Sequence, residues 1–214
     1  MSQELVVPPT SKRMLDKSVS IALLVVLSPV FAIVLAAMAL DMLLVWRDRG
    51  SFLYRERRVS QGKEFDLLKF RTLRRDALST QADGEAHARL LEATPANLTW
   101  AGRRVLKPWY LDELPQLINV ARGDMSLVGP RPWPPSMVAR QASTGFDYRN
   151  LVPAGWTGPA QVRKDVTDPS GYTELDLAYV EACRTWGSAR LLRYDLAMLW
   201  RTVGLMARGE GLRF

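Results

Sequence analysis

One long apolar run dominates the hydrophobic pattern of the chain. Residues 19–46 read VSIALLVVLSPVFAIVLAAMALDMLLVW, and only Ser20, Ser28, Pro29 and Asp41 interrupt the run. It exceeds the roughly 18 apolar residues that mark a membrane-spanning candidate, and it lacks the polar face of a core helix in a soluble domain. A cleaved signal peptide is an alternative, but its apolar stretch is only roughly 7–15 residues long. The run therefore predicts a retained helical membrane segment.

Ser28 and Pro29 lie near the middle of this run. Proline removes an intrahelical hydrogen bond and kinks a helix. Both flanks of the run are basic, so the positive-inside rule gives only a weak preference for direction. On these grounds two interpretations stay open: a kinked helix that crosses the membrane once, and a broken helix that enters and leaves by the same face.

Weaker patterns organise the rest of the chain. Residues 51–54 and 64–73 are predicted to be extended around the turn 60–63, and residues 77–97 to form a polar loop or surface helix. Helices are predicted at 136–148, 173–185 and 188–208, and a structured loop at 151–162. The last helix has an apolar stripe that indicates either core packing or an interfacial amphipathic helix. The stripe consists of Leu192, Leu196, Leu199 and Val203.

A further helix is predicted in the segment 110–132. Four apolar residues recur there at helical spacing: Leu114, Leu117, Ile118 and Ala121. Because proline is tolerated only in the first turn of a helix, Pro115 places the start at about Asp112. Asp112 then becomes the N-cap or a first-turn residue, and Gly123 is a natural C′ stop.

Charge and composition limit which partners and which kinds of catalytic or metal site the chain can have. The 214 residues carry a net charge of +7, and the segment 47–75 alone holds ten basic and four acidic residues. This juxtamembrane band suits an anionic leaflet or a phosphorylated substrate. One cysteine, Cys183, and one histidine, His87, exclude a disulfide scaffold and zinc sites rich in Cys or His. We interpret His87 as a solvated side chain and Cys183 as a small buried or half-buried one.

Asp112 and Glu113 are the sharpest candidates for catalysis. At a helix N-terminus, both carboxylates can reach one point in front of the helix. One could attack phosphorus while the other holds Mg²⁺, a hard ion that takes oxygen ligands. Taken alone, the pair is more simply a stabilising cap. Arg131, held between two prolines, suits bidentate phosphate recognition, and Lys107 and Asp124 could complete a phosphate and metal cluster.

Together these pieces resemble the small monotopic phosphoglycosyl transferases, the bacterial sugar transferase family. The resemblance covers about residues 12–205, and its central block is highly specific. The matching segments, beside the late Asp195-Leu196, are KRMLDKSVSIALLVVLSPVFAIV (12–34), DLLKFRTL (66–73), LDELPQLINVARGDMSLVGPRP (111–132) and GWTGPAQV (155–162).

The resemblance implies a reaction: transfer of a sugar-1-phosphate from a UDP-sugar to polyprenyl (undecaprenyl) phosphate, with UMP as the other product. Asp112 matches the nucleophile, which forms a phosphosugar-aspartate, and Glu113 matches the adjacent carboxylate that helps hold Mg²⁺. Lys69 matches the conserved lysine of the segment 66–73 and is assigned to catalysis. The resemblance also assigns substrate or phosphate binding to Arg131, Lys107, Asp124, Arg71 and Gln161.

The resemblance also implies an architecture. Ser28-Pro29 matches the break of a re-entrant membrane helix, which favours re-entry over crossing. We expect a mostly α fold with short β pieces: a tail (1–11), a re-entrant helix-break-helix (12–48), and a small α/β catalytic domain (49–214) with interfacial amphipathic helices. The expected location is the cytoplasmic face of a bacterial inner membrane. A phospholipid bilayer is an expected partner, nucleic acid is not, and a homodimer is left open.

Several positions depart from the family pattern. Lys107 replaces the usual arginine, which keeps the charge but loses the bidentate fork. Residues 55–59 and the pair Pro153-Ala154 also differ from the usual motifs. The departures bear on the sugar and on the nucleotide contacts, and they keep an inactive family member open. Two rival functions are a metal-dependent phosphohydrolase and a non-catalytic membrane-anchored protein whose basic patch binds anionic lipid or nucleic acid.

Overall fold

The structure is a computed structural model that describes residues 5–79, 91–145, 147–163 and 168–208. His87 lies outside the described residues. The described α-helices are α1 Thr10–Val26, α2 Ser28–Leu44, α3 Arg75–Ser79, α4 Gln116–Arg122, α5 Pro135–Ser143, α6 Pro159–Val162, α7 Pro169–Thr185 and α8 Ser188–Ala207. The strands are β1 Leu53–Ser60, β2 Lys63–Phe70, β3 Ser126–Val128 and β4 Gly155–Thr157. The prediction of a mostly α fold with short β pieces is confirmed.

The apolar run forms two helices rather than one. α1 ends at Val26, and α2 begins at Ser28 with Pro29 in its first turn, where the missing N–H is no loss. The predicted break at Ser28-Pro29 is therefore confirmed. No single helix in the described ranges has the length and apolarity to cross a membrane, whereas α1 and α2 together do, with a bend of 58° between them. Re-entry into a bilayer stays a prediction.

The chain divides into two compact units. The terminal unit comprises Met1–Leu24, Glu56–Leu67 and Gln116–Phe214, and the central unit comprises Val25–Arg55 and Leu68–Pro115. The central unit thus contains α2 and the segment that ends in Asp112 and Glu113. The predicted division at residues 11 and 48 follows the membrane segment and stays a prediction.

β1 and β2 pair through a two-residue turn. Gln61 and Gly62 both have positive φ, 49° and 73°, as in the type I′ turn that matches the twist of paired strands. The predicted turn is confirmed. The prediction for the first strand was too short, because Arg55, Arg57 and Arg58 hide its alternation from a reading based on apolar residues.

In the terminal unit, β3 and β4 pair in parallel, with Ser126 opposite Gly155 and Val128 opposite Thr157. Their backbones approach so closely that a Cβ on Gly155 would lie 2.1 Å from the nitrogen of Gly129. The predicted structured loop at 151–162 contains the short elements β4 and α6. A three-residue strand is too short to show a hydrophobic period.

A buried ionic cluster ties α1 to the rest of the terminal unit. Lys12 is 1% exposed, and its Nζ donates to Asp195 Oδ2 at 2.7 Å. Tyr179 Oη lies 3.0 Å from Asp195 Oδ1, so both oxygens of this carboxylate have partners. Asp16 accepts from Ser126 Oγ at 2.7 Å. Lys12 is thus paired inside the protein and does not add to an exposed basic flank of the apolar run.

α8 buries one face in the terminal unit and exposes another. Its buried face includes Leu191, Met198 and Leu205. The opposite side exposes apolar residues, with Leu196 at 50%, Trp200 at 78% and Val203 at 57%. The predicted stripe therefore lies largely outside the core, which favours the interfacial interpretation over core packing. Cys183 of α7 is buried, as predicted.

The core of the central unit combines α2 with the segment that leads to Asp112. Val34 and Met38 of α2 pack with Phe70, Leu106 and Leu114. Leu106 and Leu114 lie on either side of the two carboxylates in sequence, so the same apolar cluster anchors both ends of the turn that carries them. One side of α2 is therefore committed to protein packing.

Candidate active site

A succession of tight turns presents the two carboxylates. Gly102–Leu106 is a π-helix, Lys107–Trp109 and Leu111–Glu113 are 3₁₀ turns, and Tyr110 between them is left-handed at φ 54°. A Cβ on Gly102 would lie 2.5 Å from the Thr72 carbonyl oxygen, so only glycine fits there. Isolated π-turns and non-glycine residues with positive φ concentrate at functional sites.

The predicted start of the helix at Asp112 was wrong. α4 begins at Gln116, and Asp112 lies in the separate turn Leu111–Glu113. Pro115 has no N–H with which to reach the Leu111 carbonyl oxygen, and the Leu114 N–H donates to that oxygen instead, at 3.2 Å. The Asp112 side chain bonds to a lysine and does not cap a helix. The predicted C-terminal stop holds, since α4 ends before Gly123, which has φ 88°.

Asp112 is buried, at 2% exposure, and only one of its oxygens has a partner. Oδ2 accepts from Lys107 Nζ at 2.8 Å, while Oδ1 has no hydrogen bond within the described part of the chain. Burial raises the pKa of Asp112, and the charge of Glu113 raises it further, against the lowering effects of Lys107 and Lys69. A carboxylate oxygen that lacks a partner in such surroundings is available to a ligand or a reacting atom.

Lys107 bridges Asp112 to a second carboxylate. Its Nζ lies 2.7 Å from Glu92 Oε2, and Glu92 Oε1 accepts from Thr72 Oγ1 at 2.6 Å. Burial acts to lower the pKa of Lys107, but the negative charges of Asp112 and Glu92 outweigh it and raise the pKa overall. Lys107 therefore stays protonated and places a positive charge beside Asp112.

The structure brings four predicted site residues together in the central unit. Asp112 and Glu113 are both buried, Lys107 bonds Asp112, and Lys69 on β2 lies close enough to act on the pKa of Asp112. Arg71, also predicted to bind phosphate, is 4% exposed. Its guanidinium donates to the carbonyl oxygens of Ser51, Leu73 and Asp48. Phosphate binding by Arg71 stays a prediction that these contacts disfavour.

Three other predicted residues belong to the terminal unit. Asp124 accepts from Asn119 Nδ2 at 2.9 Å, and Gln161 donates to the Trp156 carbonyl oxygen at 3.3 Å. The carbonyl oxygen of Arg131 accepts from Arg149 Nη1 at 2.8 Å. Arg149 also lies 3.7 Å from the centre of the Trp133 ring, so it braces the backbone of this motif. Substrate binding by the three residues stays a prediction.

Comparison with known proteins identifies the family of the chain. The sequence profile of a family described as bacterial sugar transferase matches residues 7–209. The chain belongs to the bacterial sugar transferase family. The matched residues cover nearly the whole chain.

Individual sugar transferases are also similar to the chain. It is 34% identical over 193 residues to an undecaprenyl-phosphate glucose phosphotransferase of Komagataeibacter xylinus, covering 85% of this chain and 34% of that protein. It is 32% identical over 197 residues to a UDP-galactose-lipid carrier transferase of Erwinia amylovora, covering 85% and 39%. The exopolysaccharide production protein ExoY of Sinorhizobium fredii is 33% identical over 214 residues, covering 94% and 87%. The chain thus spans less than half of the first two relatives and most of the third.

The carboxylates of the candidate site suit a magnesium ion that also binds substrate phosphates. No group of three or more His, Cys, Asp and Glu side chains gathers within the described ranges, so a cage built from protein ligands alone is not present there. Mg²⁺ is commonly bound by one or two carboxylates together with substrate phosphates. Asp112 and the adjacent Glu113, both buried, are carboxylate donors of this kind, and metal binding by them stays a prediction.

Sequence reasoning missed Glu92 as a member of the candidate site. It lies 15 positions before Lys107, in a polar stretch with no helical or strand pattern. Nothing in its neighbours distinguishes it from a solvated glutamate. Its role follows only from the fold of the central unit, which brings it against both Thr72 and Lys107.

Proposed function

We propose that the protein transfers a sugar-1-phosphate from a UDP-sugar to a polyprenyl phosphate, with undecaprenyl phosphate as the expected acceptor. The products are a polyprenyl-diphospho-sugar and UMP. Such a reaction begins the assembly of an exopolysaccharide or another glycan on a lipid carrier. The names of the family relatives support this chemistry, and the Asp112 carboxylate supplies a group able to perform it.

The observation that carries the proposal is that, within the described ranges, only one of the two carboxylate oxygens of Asp112 has a hydrogen-bond partner. A carboxylate whose two oxygens were both bonded to cations would be a poor nucleophile. In Asp112, Lys107 bonds Oδ2 alone, and Oδ1 has no partner among the described residues. Oδ1 is therefore the oxygen that attacks phosphorus in the proposed reaction.

The reaction proceeds in two displacements. In the first, Asp112 Oδ1 forms a bond to the phosphorus that carries the sugar, the bond from that phosphorus to the bridging oxygen breaks, and UMP leaves. In the second, a phosphate oxygen of the polyprenyl phosphate attacks the same phosphorus, and Asp112 departs as a free carboxylate. Covalent catalysis of this kind divides one difficult step into two easier ones.

Magnesium, when bound, would neutralise phosphate charge and stabilise the leaving group. Glu113 would hold it while Asp112 Oδ1 attacks, since an ion on that oxygen would leave both oxygens of Asp112 bonded to cations. Lys107 and Lys69 add positive charge beside the aspartate, where the anionic donor must approach. Their attraction for the phosphates offsets the repulsion between the donor and the paired carboxylates.

The broken N-terminal helix suits a lipid acceptor. We propose that α1 and α2 form a re-entrant hairpin and that the protein works on the cytoplasmic face of a bacterial inner membrane. The bend of 58° at the break and the basic residues after α2 support this arrangement. Cysteine labelling at both ends of residues 19–46 tests it: reactivity from one face is expected, and reactivity from opposite faces contradicts re-entry.

A UMP-release screen tests the proposed function. The full chain in detergent or nanodiscs is given undecaprenyl phosphate, Mg²⁺ and a series of UDP-sugars, beginning with UDP-glucose and UDP-galactose because the names of relatives mention these sugars. We expect sustained UMP release with at least one donor and a radiolabelled lipid-linked product. Absence of UMP with every donor would contradict the proposal.

Omitting the lipid separates the proposal from its rivals. Without undecaprenyl phosphate, a covalent intermediate predicts about one UMP per enzyme and a protein mass increased by one phosphosugar. Continuous release of sugar phosphate without lipid would identify a hydrolase instead. A protein that only binds anionic lipid would show neither product, and its binding would weaken as salt is raised.

A further inference from the structure

Glu92 is held between two donors in the central unit. Thr72 Oγ1 donates to Oε1 at 2.6 Å, and Lys107 Nζ donates to Oε2 at 2.7 Å. Lys107 Nζ donates in turn to Asp112 Oδ2 at 2.8 Å. The side chains therefore form a continuous chain of hydrogen bonds from Thr72 through Glu92 and Lys107 to the aspartate.

This chain fixes a side chain that is otherwise mobile. Lysine carries a compact charge on a flexible four-carbon stem and has no preferred direction of bonding. The Lys107 side chain keeps 30% of its surface exposed, whereas that of Asp112 keeps 2%. One bond to Asp112 would leave the ammonium free to pivot. A second bond to Glu92, itself fixed by the buried Thr72, determines where the ammonium lies.

We propose that Glu92 is a positioning residue that holds the Lys107 ammonium on Oδ2 of Asp112 and thereby keeps Oδ1 as the attacking oxygen. Glu92 acts through Lys107 and needs no contact with either substrate. The ammonium draws charge toward Oδ2 and occupies it, so the free oxygen remains the reactive one. The kinetic part of this inference rests on the proposed function, whereas the position of Lys107 is independent of it.

Glu92→Gln tests the kinetic part, because it keeps the size of the side chain and removes its charge. We expect the rate of the first UMP release to fall about tenfold or more, with the KM for the UDP-sugar changed by less than about twofold. The matched control is Glu64→Gln, which removes an exposed glutamate on β2 and should leave both values unchanged. A raised KM with an unchanged rate would overturn the proposal.

A double-mutant cycle tests whether Glu92 acts through Lys107. Lys107→Met should lower the first rate, and Glu92→Gln added to it should cause no further loss. Independent residues would instead give losses that multiply, and that result would overturn the proposal. If Glu92→Gln fails to fold, Thr72→Val releases the far end of the same chain. It should lower the rate in the same direction by a smaller factor, and an unchanged rate would count against the proposal.

Chemical labelling tests the position of Lys107 without any turnover. An ammonium bonded to two carboxylates reacts slowly with acetic anhydride, and the exposed Lys63 serves as an internal reference in the same sample. We expect acetylation of Lys107 relative to Lys63 to rise several-fold in Glu92→Gln and to stay constant in Glu64→Gln. Equal relative labelling of Lys107 in all three proteins would overturn the positioning role. A wild type that labels as expected but releases no UMP would refute the proposed function alone.

Discussion

Two lysine–aspartate pairs of nearly equal length differ in how their carboxylate oxygens are bonded. Lys12 and Asp195 in the terminal unit are 2.7 Å apart, and Lys107 and Asp112 in the central unit are 2.8 Å apart. Asp195 has a partner on each oxygen, since Tyr179 Oη lies beside Oδ1, whereas Asp112 has one oxygen without a partner. The comparison teaches that the distance between the charges does not reveal their role. The number of carboxylate oxygens left without a partner separates these two pairs, for which we predict different roles.

The largest expected effect is on Lys107–Asp112, which we call the open pair because one oxygen of Asp112 has no partner in the described part of the chain. Asp112→Asn should lower UMP release about a thousandfold or more, because an amide oxygen does not attack phosphorus. It should also leave the protein without a phosphosugar adduct when the lipid is omitted, as measured by intact-protein mass spectrometry. Thermal unfolding of the variant should change little, since the amide keeps the shape of the side chain. Turnover close to the wild-type rate would refute the role of Asp112.

Breaking Lys12–Asp195, the closed pair in which both oxygens of the carboxylate have partners, should instead lower the free energy of unfolding. Lys12→Met leaves Asp195 buried without its cation, and we expect a loss of about 3–5 kcal/mol in the free energy of unfolding. Lys17→Met on the same helix removes an exposed lysine and is the matched control, with a change within about 0.5 kcal/mol. Chemical denaturation measures both. An unchanged stability in Lys12→Met would mean that the two pairs differ less than their surroundings indicate.

An intermediate case sharpens the comparison. Asp176 in the terminal unit accepts from Arg149 Nη2 at 3.0 Å, but its Oδ1 has no partner among the described residues. Burial raises the pKa of Asp176 from 3.8 to about 6. The folded state therefore binds more protons than the unfolded state between these values, and this group destabilises the fold as the pH rises through that window.

The pH dependence of the difference between two proteins isolates this effect. The free energy of unfolding of the wild type, minus that of Asp176→Asn, should decrease from about pH 4 to about pH 6 and then level off. Urea denaturation at several pH values measures it. A difference that rises with pH would mean that Arg149 stabilises the carboxylate more than burial opposes it.

The smallest expected effect concerns the pH profile of the open pair. The raised pKa of Asp112 predicts that the first UMP release falls with acidity at a higher pH than for an ordinary aspartate, because only the ionised form attacks. Lys107→Met removes a charge that lowers this pKa, so the acid limb should move upward by about one pH unit or less. Rates from pH 5 to pH 8 at constant Mg²⁺ test it. A downward shift would contradict the electrostatic role of Lys107.

The sequence predicted those parts of the structure that depend on local pattern. The break at Ser28-Pro29, the turn at Gln61-Gly62 and the stop at Gly123 follow from the backbone preferences of proline and glycine. The resemblance also pointed to Asp112, Glu113, Lys69 and Lys107, which the structure gathers in one unit. Their catalytic and metal-binding roles stay predictions.

Other parts could not be read from local pattern. The start of α4 was placed four residues early, because the rule that admits Pro115 into a first turn does not say whether a 3₁₀ turn precedes it. Glu92 and the burial of Lys12 depend on contacts between residues far apart in sequence. A charged residue in a polar stretch looks the same whether it is solvated or paired, and only the folded chain distinguishes the two.

The pairing of Lys12 with Asp195 also limits when the terminal unit can fold during synthesis. The two residues are separated by 183 positions, so the lysine is synthesised long before its partner exists. At about 5–20 residues per second, the delay is about 10 to 40 seconds. The apolar residues 19–46 are also synthesised well before Asp195. The buried Lys12–Asp195 pair of the terminal unit can therefore form only after residue 195 has been synthesised.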